Sequence, residues 1–327
     1  MSNNMLIVAE HFQGRLNDVT FELLAKGREL ANALGGNVVA LLAGHRHQHL
    51  AGELAGADVV QVADHPALEN LTPDTCTAVL EECIRVEQPR LVLLGSTSVG
   101  LDLLSLASAR ANLPCLDNCV KLEARDGKLV ATCQLYGGKI FAEVLLPETT
   151  ALVAAVRGSF PKEAGAPSGK PEVRELAVSL PEPRVKFRRM IEPPPGDVDI
   201  TKVPVLVAVG RGIQNADNLP LADELAEALG GAVCASRPVI DQGWLPLTRQ
   251  VGKSGMTVRP KAYLAFGISG APEHLEGMKD SELIVAVNTD PRAPIFTAAH
   301  YGVVADAVEL LPLLSEEVRR QGMKKAG

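Results

Sequence analysis

Two stretches of the chain combine glycine, hydroxyl and basic residues densely enough to seat a ligand: Gly252-Lys253-Ser254-Gly255 and Gly267-Ile268-Ser269-Gly270. Glycines in such numbers let a backbone come close to another group. Three further clusters, Gly210-Arg211-Gly212, Ser236-Arg237 and Asn288-Thr289-Asp290, each follow a short apolar run. Backbone N–H groups at a helix start, with arginine nearby, suit a diphosphate. The standard nucleotide fingerprints are missing: no G-x-G-x-x-G follows a strand, and Val251-Gly252-Lys253-Ser254 lacks the earlier glycine of a P-loop.

Other clusters carry less chemistry. His45, His47 and His49 alternate as a metal clip on a strand would, but no carboxylate or cysteine accompanies them nearby, and Gly44 suggests a loop. Cys115 and Cys119 read as two half-buried thiols. The six cysteines form no C-x-x-C pair, which signals neither zinc nor an iron–sulfur cluster. The run 95–100, Gly-Ser-Thr-Ser-Val-Gly, could take a phosphate. A net charge of -7 and 3% aromatic residues argue against nucleic acid as the main partner. The N-terminus lacks the basic-then-apolar order of a secretory signal, and no apolar run is long enough to span a membrane. A cytoplasmic protein is expected.

The elements that must position these residues follow from the pattern. Apolar runs at 6–9, 37–42, 59–62 and 91–94 alternate with helical spacing at 20–34 and 75–87, which implies a parallel sheet with helices on its faces. Beyond about residue 115 the chain becomes strand-rich, at 129–135, 139–145 and 151–156. Residues 161–202 are proline-rich, including Pro193-Pro194-Pro195, and read as a boundary or linker. A cleaner alternation follows: strands at 203–209, 232–235, 262–266 and 283–287, a helix stopped by Gly230-Gly231, and a last helix near 306–320. The fold class expected is α/β in two domains: an N-terminal parallel-sheet nucleotide-binding-like domain (1–190), a linker (191–202) and a C-terminal doubly wound domain (203–327).

The run 207–304 resembles the α subunit (the large, FixB-like subunit) of electron transfer flavoproteins. The resemblance rests on Gly210-Arg211-Gly212, Ala235-Ser236-Arg237, Gln250-Val251-Gly252-Lys253-Ser254-Gly255, Gly267-Ile268-Ser269-Gly270-Ala271, His274-Leu275-Glu276-Gly277-Met278 and Asn288-Thr289-Asp290-Pro291. It continues through Ala293-Pro294-Ile295-Phe296 and Tyr301-Gly302-Val303-Val304-Ala305-Asp306. The first domain matches more loosely, through Val8-Ala9-Glu10-His11, Gly95-Ser96-Thr97 and Tyr136-Gly137-Gly138.

The resemblance implies FAD. Arg211 would contact its diphosphate, and Ser236 and Arg237 would lie against the flavin, with the guanidinium over the ring. Gln250 belongs to the same motif, and Val251, Gly252, Lys253 and Ser254 would line the ring, with the Ser254 hydroxyl reaching N5. Gly267 and the run Ser269, Gly270, Ala271, Pro272, Glu273 and His274 would hold diphosphate, ribityl chain and ring, with His274 directed at the C2 carbonyl. Asn288 would bind the ribityl–phosphate part, and Asp306 with Ala307 the adenosine end. Two departures matter: the N5 position is often threonine in this family and is serine here, and Pro272-Glu273 replaces an apolar residue and glutamine.

It further implies a heterodimer with a β subunit, packed on the first domain, that carries electrons from flavin-dependent dehydrogenases, such as the acyl-CoA type of fatty acid β-oxidation. A quinone oxidoreductase or ferredoxin-type acceptor would receive them. Such a chain is a carrier rather than an enzyme with its own substrate. The linker before residue 203 is the natural hinge between its domains. A second expectation in the same family is an electron-bifurcating complex with a second FAD in the β subunit. Fold alone also leaves open an ATP-dependent ligase-like enzyme or a nucleotide-sensing module.

Overall fold

The computed structural model describes residues 2–136, 138–162, 170–190 and 198–325. Gly137 and the Pro193-Pro194-Pro195 run lie outside the described residues. The chain divides into two compact units, Met1–Arg189 and Met190–Gly327.

In the first unit, β1 (Met5–Val8) leads through a small hairpin, β2 (His11–Phe12) and β3 (Arg15–Leu16), into α1 (Asp18–Leu34). Then come β4 (Val38–Gly44), β5 (Val59–Asp64), α2 (Pro73–Glu87), β6 (Leu91–Gly95) and α3 (Ser98–Ala111). The unit ends with β7 (Cys115–Arg125), β8 (Lys128–Leu135), β9 (Ile140–Leu145), β10 (Ala151–Ala155) and β11 (Glu172–Glu175). Apart from the β2–β3 hairpin, these strands form one sheet in the order β11-β5-β4-β1-β6-β10-β7-β8-β9. Pairing is parallel up to β7 and antiparallel through β8 and β9. The central strands β1, β6 and β10 are buried along their whole length, as their unbroken apolar runs require when helices cover both faces. One face packs on α1 through Val19, Leu23 and Leu30; the other packs on α2 and α3 through Leu80 and Leu104.

Two strands of this sheet depart from the reading of the sequence. Glu172–Glu175, inside the proline-rich stretch, pairs in parallel with β5 as a fully exposed edge strand. Its Glu-Val-Arg-Glu sequence has no apolar pattern to announce a strand; the backbone ladder alone recruits it. Cys115–Arg125 is likewise a strand, and it turns the sheet from parallel to antiparallel. Cys119 therefore sits opposite Cys133 across β7 and β8, while Cys115 is exposed; all six cysteines are free thiols.

The second unit comprises β12 (Val205–Val209), α4 (Leu219–Ala228), β13 (Ala232–Ala235), the short α5 (Arg237–Asp241), β14 (Ala262–Phe266), the short α6 (Pro272–Glu276), β15 (Ile284–Asn288), β16 (Tyr301–Val304) and α7 (Ala307–Lys325). Its sheet is wholly parallel in the order β13-β12-β14-β15-β16. The chain leaves β12 for β13 on one side and returns to β14 on the other, so the order reverses between β12 and β14. Side-chain alternation splits the core. Val207, Val209, Val233 and Phe266 face α4 and α7, whereas Leu206, Ala208, Cys234, Tyr263 and Ala265 face the loop-rich segments around Val251, Ile268, Met278 and Ile295. The longer helices α4 and α7 thus cover one face, and loops with the short α6 cover the other.

Candidate functional site

Register decides which loops can meet. Val209 pairs with both Ala235 and Phe266, and Phe266 pairs with Val287. The residues that follow, from Gly210, Ser236, Gly267 and Asn288 onward, therefore emerge along one rim at the carboxyl ends of the strands. This is where ligands bind in open α/β sheets.

At that rim the glycines serve the chain itself. A Cβ on Gly212 would stand 2.5 Å from the Cα of Gly267, and the Gly212 N–H donates to the Gly267 carbonyl at 3.0 Å. The two loops close on each other at the point where strand order reverses. The second cluster behaves likewise: a Cβ on Gly252 would meet the Glu273 carbonyl at 2.8 Å, and one on Gly277 would meet the Gly252 nitrogen at 2.5 Å. Close approach is the right reason for these glycines, but the partner is backbone.

The opening lies to one side of this contact. A cavity of ≈ 340 Å³ is lined by Ser236, Arg237, Gln250–Ser254, Ser269, Ala271, Glu273 and His274. Segment 250–251 reaches it by extending the sheet past β13, with Val251 N–H donating to the Ala235 carbonyl at 2.9 Å. Ile268, inside the second of the two glycine stretches, also lines it, as do Pro238 and Asp241, which were not picked out by sequence. Asp241 had a signal: it stands four residues after Arg237 on the same helix, and Arg237 Nε lies 3.4 Å from its Oδ2.

Other predicted residues are brought near the rim but not onto the cavity wall. Asn288 is spent on loop geometry, donating through Nδ2 to the Ile268 carbonyl at 2.9 Å and accepting through Oδ1 from Asp290 N–H. Asp306 accepts from Val308 N–H at 2.7 Å at the start of α7, and Gln214 Nε2 donates to its other oxygen at 3.3 Å. Ala307 is buried in the helix-side core. Arg211, Gly267, Gly270 and Pro272 also lie outside the lining.

Within the cavity the hydrogen bonds have a direction. Gln250, itself 3% exposed, donates through Nε2 to Ser254 Oγ at 2.9 Å. The Ser254 hydroxyl thereby accepts inside the chain and keeps its own proton to give elsewhere. Among the described residues, no partner within the chain takes the backbone N–H groups of Ser269, Gly270 and Ala271. The imidazole of His274 is 6% exposed and hydrogen-bonded at both nitrogens, Nδ1 to the Val251 carbonyl at 3.1 Å and Nε2 to Tyr263 Oη at 3.0 Å. Burial pushes its pKa down to about 4, so it is neutral at pH 7. Arginine, a hydroxyl donor and open N–H groups around one cavity fit an aromatic ring system carrying acceptor atoms and a diphosphate.

The remaining candidates assemble no second centre. Thr97 Oγ1 donates to both Glu10 carboxylate oxygens, at 2.9 and 3.0 Å, and accepts from Gly100 N–H at the start of α3. The loop considered for phosphate thus already faces a carboxylate of the chain. Burial raises the pKa of Glu10, against the hydroxyl of Thr97. His45 bonds Asp64, whereas His47 stacks edge-on against His11 and His49. Among the described residues no group of three His, Cys, Asp or Glu is placed to hold a metal, and no helix is long and apolar enough to cross a membrane.

Comparison with known proteins bears on both units. Residues 5–181 match the model of the electron transfer flavoprotein domain, and residues 199–279 that of the electron transfer flavoprotein FAD-binding domain. The chain is 36% identical over 320 residues to the electron transfer flavoprotein subunit alpha of Thermoanaerobacterium thermosaccharolyticum, covering 96% of this chain and 97% of the relative. It is 38% identical to the protein of the same name from Megasphaera elsdenii, with 96% of each covered. A third relative, the lactate dehydrogenase (NAD(+),ferredoxin) subunit LctC of Acetobacterium woodii, is 36% identical over 94% of this chain and 75% of its own length.

Proposed function

This chain belongs to the electron transfer flavoprotein family, in its α-subunit, FixB-like branch, and from that premise we propose that it holds FAD in the second unit and carries electrons as one half of a heterodimer with a β subunit. The observation that carries the reading is the single cavity that gathers Arg237, the Ser254 hydroxyl and the edge of the Ser269–Ala271 loop. At ≈ 340 Å³ it lies at the small end of ligand pockets, which run from about 300 to 1,000 Å³. It suits one end of a dinucleotide, with the rest laid along the rim.

Each residue has a task set by its chemistry. The Arg237 guanidinium supplies positive charge where a reduced ring gathers negative charge. Ser254, its oxygen already engaged by Gln250, offers its proton to a ring nitrogen. The open N–H groups of Ser269, Gly270 and Ala271 suit diphosphate oxygens. A bound flavin supplies the electron chemistry, and the protein supplies position and electrostatics. Electrons would come from flavin-dependent, acyl-CoA-type dehydrogenases and leave to a quinone oxidoreductase or ferredoxin-type acceptor. The similarity to the LctC subunit favours a second reading, in which the complex is bifurcating and the β subunit holds a second FAD.

The test is to co-produce the chain with its β subunit and count flavins in the purified complex from the visible spectrum and extracted cofactor. One FAD per heterodimer, lost on Arg237→Gln with Ser254→Ala, supports the carrier. Two FADs support the second reading. A colourless complex that takes up no added FAD overturns both.

A further inference from the structure

A second cavity lies in the first unit, at the point where its own strand order reverses. There the chain leaves β1 for β4 on one side and later reaches β6 on the other. Beyond the carboxyl end of β1, where open α/β sheets bind ligands, the cavity measures ≈ 290 Å³. Its walls are apolar, with Leu41 and Ala43 from β4, Leu80 from α2 and Leu103 from α3. Phe12 and Val99 form the solvent-facing part of the lining, 55% and 42% exposed. Leu71, also in the lining, has φ 42°. A bulky side chain is rarely held in the left-handed region, and such strain gathers at ligand sites.

The polar end of the cavity is built of acceptors. Glu10, 6% exposed, takes the Thr97 hydroxyl proton on both carboxylate oxygens, and one shared proton leaves lone pairs over. His11 Nε2 lies 2.7 Å from the Ala43 carbonyl, which can only accept, so Nε2 carries the ring proton. Its Nδ1 is then a bare lone pair, buried and without a partner among the described residues. Burial lowers the His11 pKa, which keeps the ring neutral at pH 7. No lysine or arginine is among the lining residues; Arg157 is felt by Glu10 but stands outside them. A phosphate or carboxylate therefore meets repulsion here, whereas an ammonium group finds a carboxylate, and the neighbouring residue adds a second bare acceptor. The Cys76 thiol on the wall is pushed up to about 12 by burial, so it supplies no thiolate. The cavity is furnished for binding and not for covalent chemistry.

We propose that the first unit has a ligand site of its own, which takes a small primary amine with an apolar, ring-sized body. The body lies between β4, α2 and α3, and the ammonium group lies against Glu10. At ≈ 290 Å³ the site falls at the small end of ligand pockets, which run from about 300 to 1,000 Å³, so a dinucleotide is too large for it. The site does not depend on the flavin reading of the second unit.

The experiment titrates the full chain, paired with its β subunit, with phenethylamine and with hydrocinnamate, by calorimetry and ligand-observed NMR. The two probes share a phenylethyl body and end in ammonium or carboxylate. Phenethylamine should bind once per heterodimer with a dissociation constant of about 0.1–1 mM, and hydrocinnamate at least roughly tenfold more weakly. Glu10→Gln, which keeps the shape and loses the charge, should weaken phenethylamine by roughly tenfold or more. Val99→Trp, placed at an exposed position, should block entry and abolish binding of the amine. No uptake of phenethylamine by the wild type, equal affinity for the two probes, or undiminished binding in Val99→Trp overturns the proposal. If Glu10→Gln does not fold, the wild-type preference and Val99→Trp decide alone. The readout needs no bound FAD, so extracted cofactor tells failure of the flavin reading apart from failure of this site.

Discussion

Replacing Gly252 by alanine tests whether the loop under the cavity is built on backbone-to-backbone contact. Gly252 has φ 139°, and an added Cβ would stand 2.8 Å from the Glu273 carbonyl oxygen. A side chain in so sparsely populated a conformation costs about 1–3 kcal/mol. Pushing the Glu273 carbonyl aside also loses its bond from Lys253 N–H, about 1 kcal/mol more. The sum, roughly 2–4 kcal/mol, corresponds to a fall of about 6–16 °C in the melting of a unit the size of Met190–Gly327. Gly230→Ala is the control. It also has positive φ, 65°, but its Cβ would meet nothing within 4 Å, and it precedes β13 at the opposite end from the cavity. That change costs only the left-handed backbone term, about 1–2 kcal/mol. Differential scanning calorimetry of both variants, with FAD titrations followed by absorbance, measures the difference. Gly252→Ala should melt lower and bind FAD more weakly, whereas Gly230→Ala should keep wild-type affinity. Equal melting of the two, or unchanged FAD binding by Gly252→Ala, would refute the reasoning.

Two other perturbations separate electrostatics from packing. Asp241→Asn frees the Arg237 guanidinium from a partner 3.4 Å away; since the side chains are 68% and 61% exposed, the pair is worth about 0.2–1 kcal/mol. If a reduced flavin shares that guanidinium, its one-electron potential should rise by roughly 10–40 mV in spectroelectrochemistry, and less at high salt. In the first unit, burial holds the Glu10 pKa above the ordinary glutamate value. Its stabilising contribution is thus full below that ordinary value and is lost as pH rises through the raised one. Glu10→Gln should flatten this part of the pH dependence, with urea midpoints gaining most at the alkaline end; an unchanged slope would count against the burial argument.

The architecture was largely legible because buried parallel strands must be apolar throughout. The runs 232–235 and 262–266 coincide with β13 and β14. Two strands that escaped notice lack that pressure: β11 and β16 are exposed along their whole length, so their residues answer to solvent. The site was legible where side chains share a loop or a strand end, as with Ser236-Arg237 and 250–254. Tyr263 was not, since a tyrosine inside an apolar strand looks like any core aromatic, and only the fold reveals that its hydroxyl meets a histidine eleven residues on. The glycines illustrate a different limit. Their need for close approach can be read from type, but whether the approaching group is ligand or chain depends on tertiary packing alone.

The division of the second sheet, with helices behind it and loops before it, has a consequence for how this protein can vary. Along each buried strand, successive positions answer to different masters. Ala208, Cys234, Tyr263 and Ala286 face the loop side, while their neighbours Val207, Val233, Leu264 and Val287 pack with the helices. A saturation scan sorted by FAD retention and by thermal stability should therefore yield two interleaved signals of period two. Redox tuning can drift along one parity of the sequence while the scaffold stays anchored on the other.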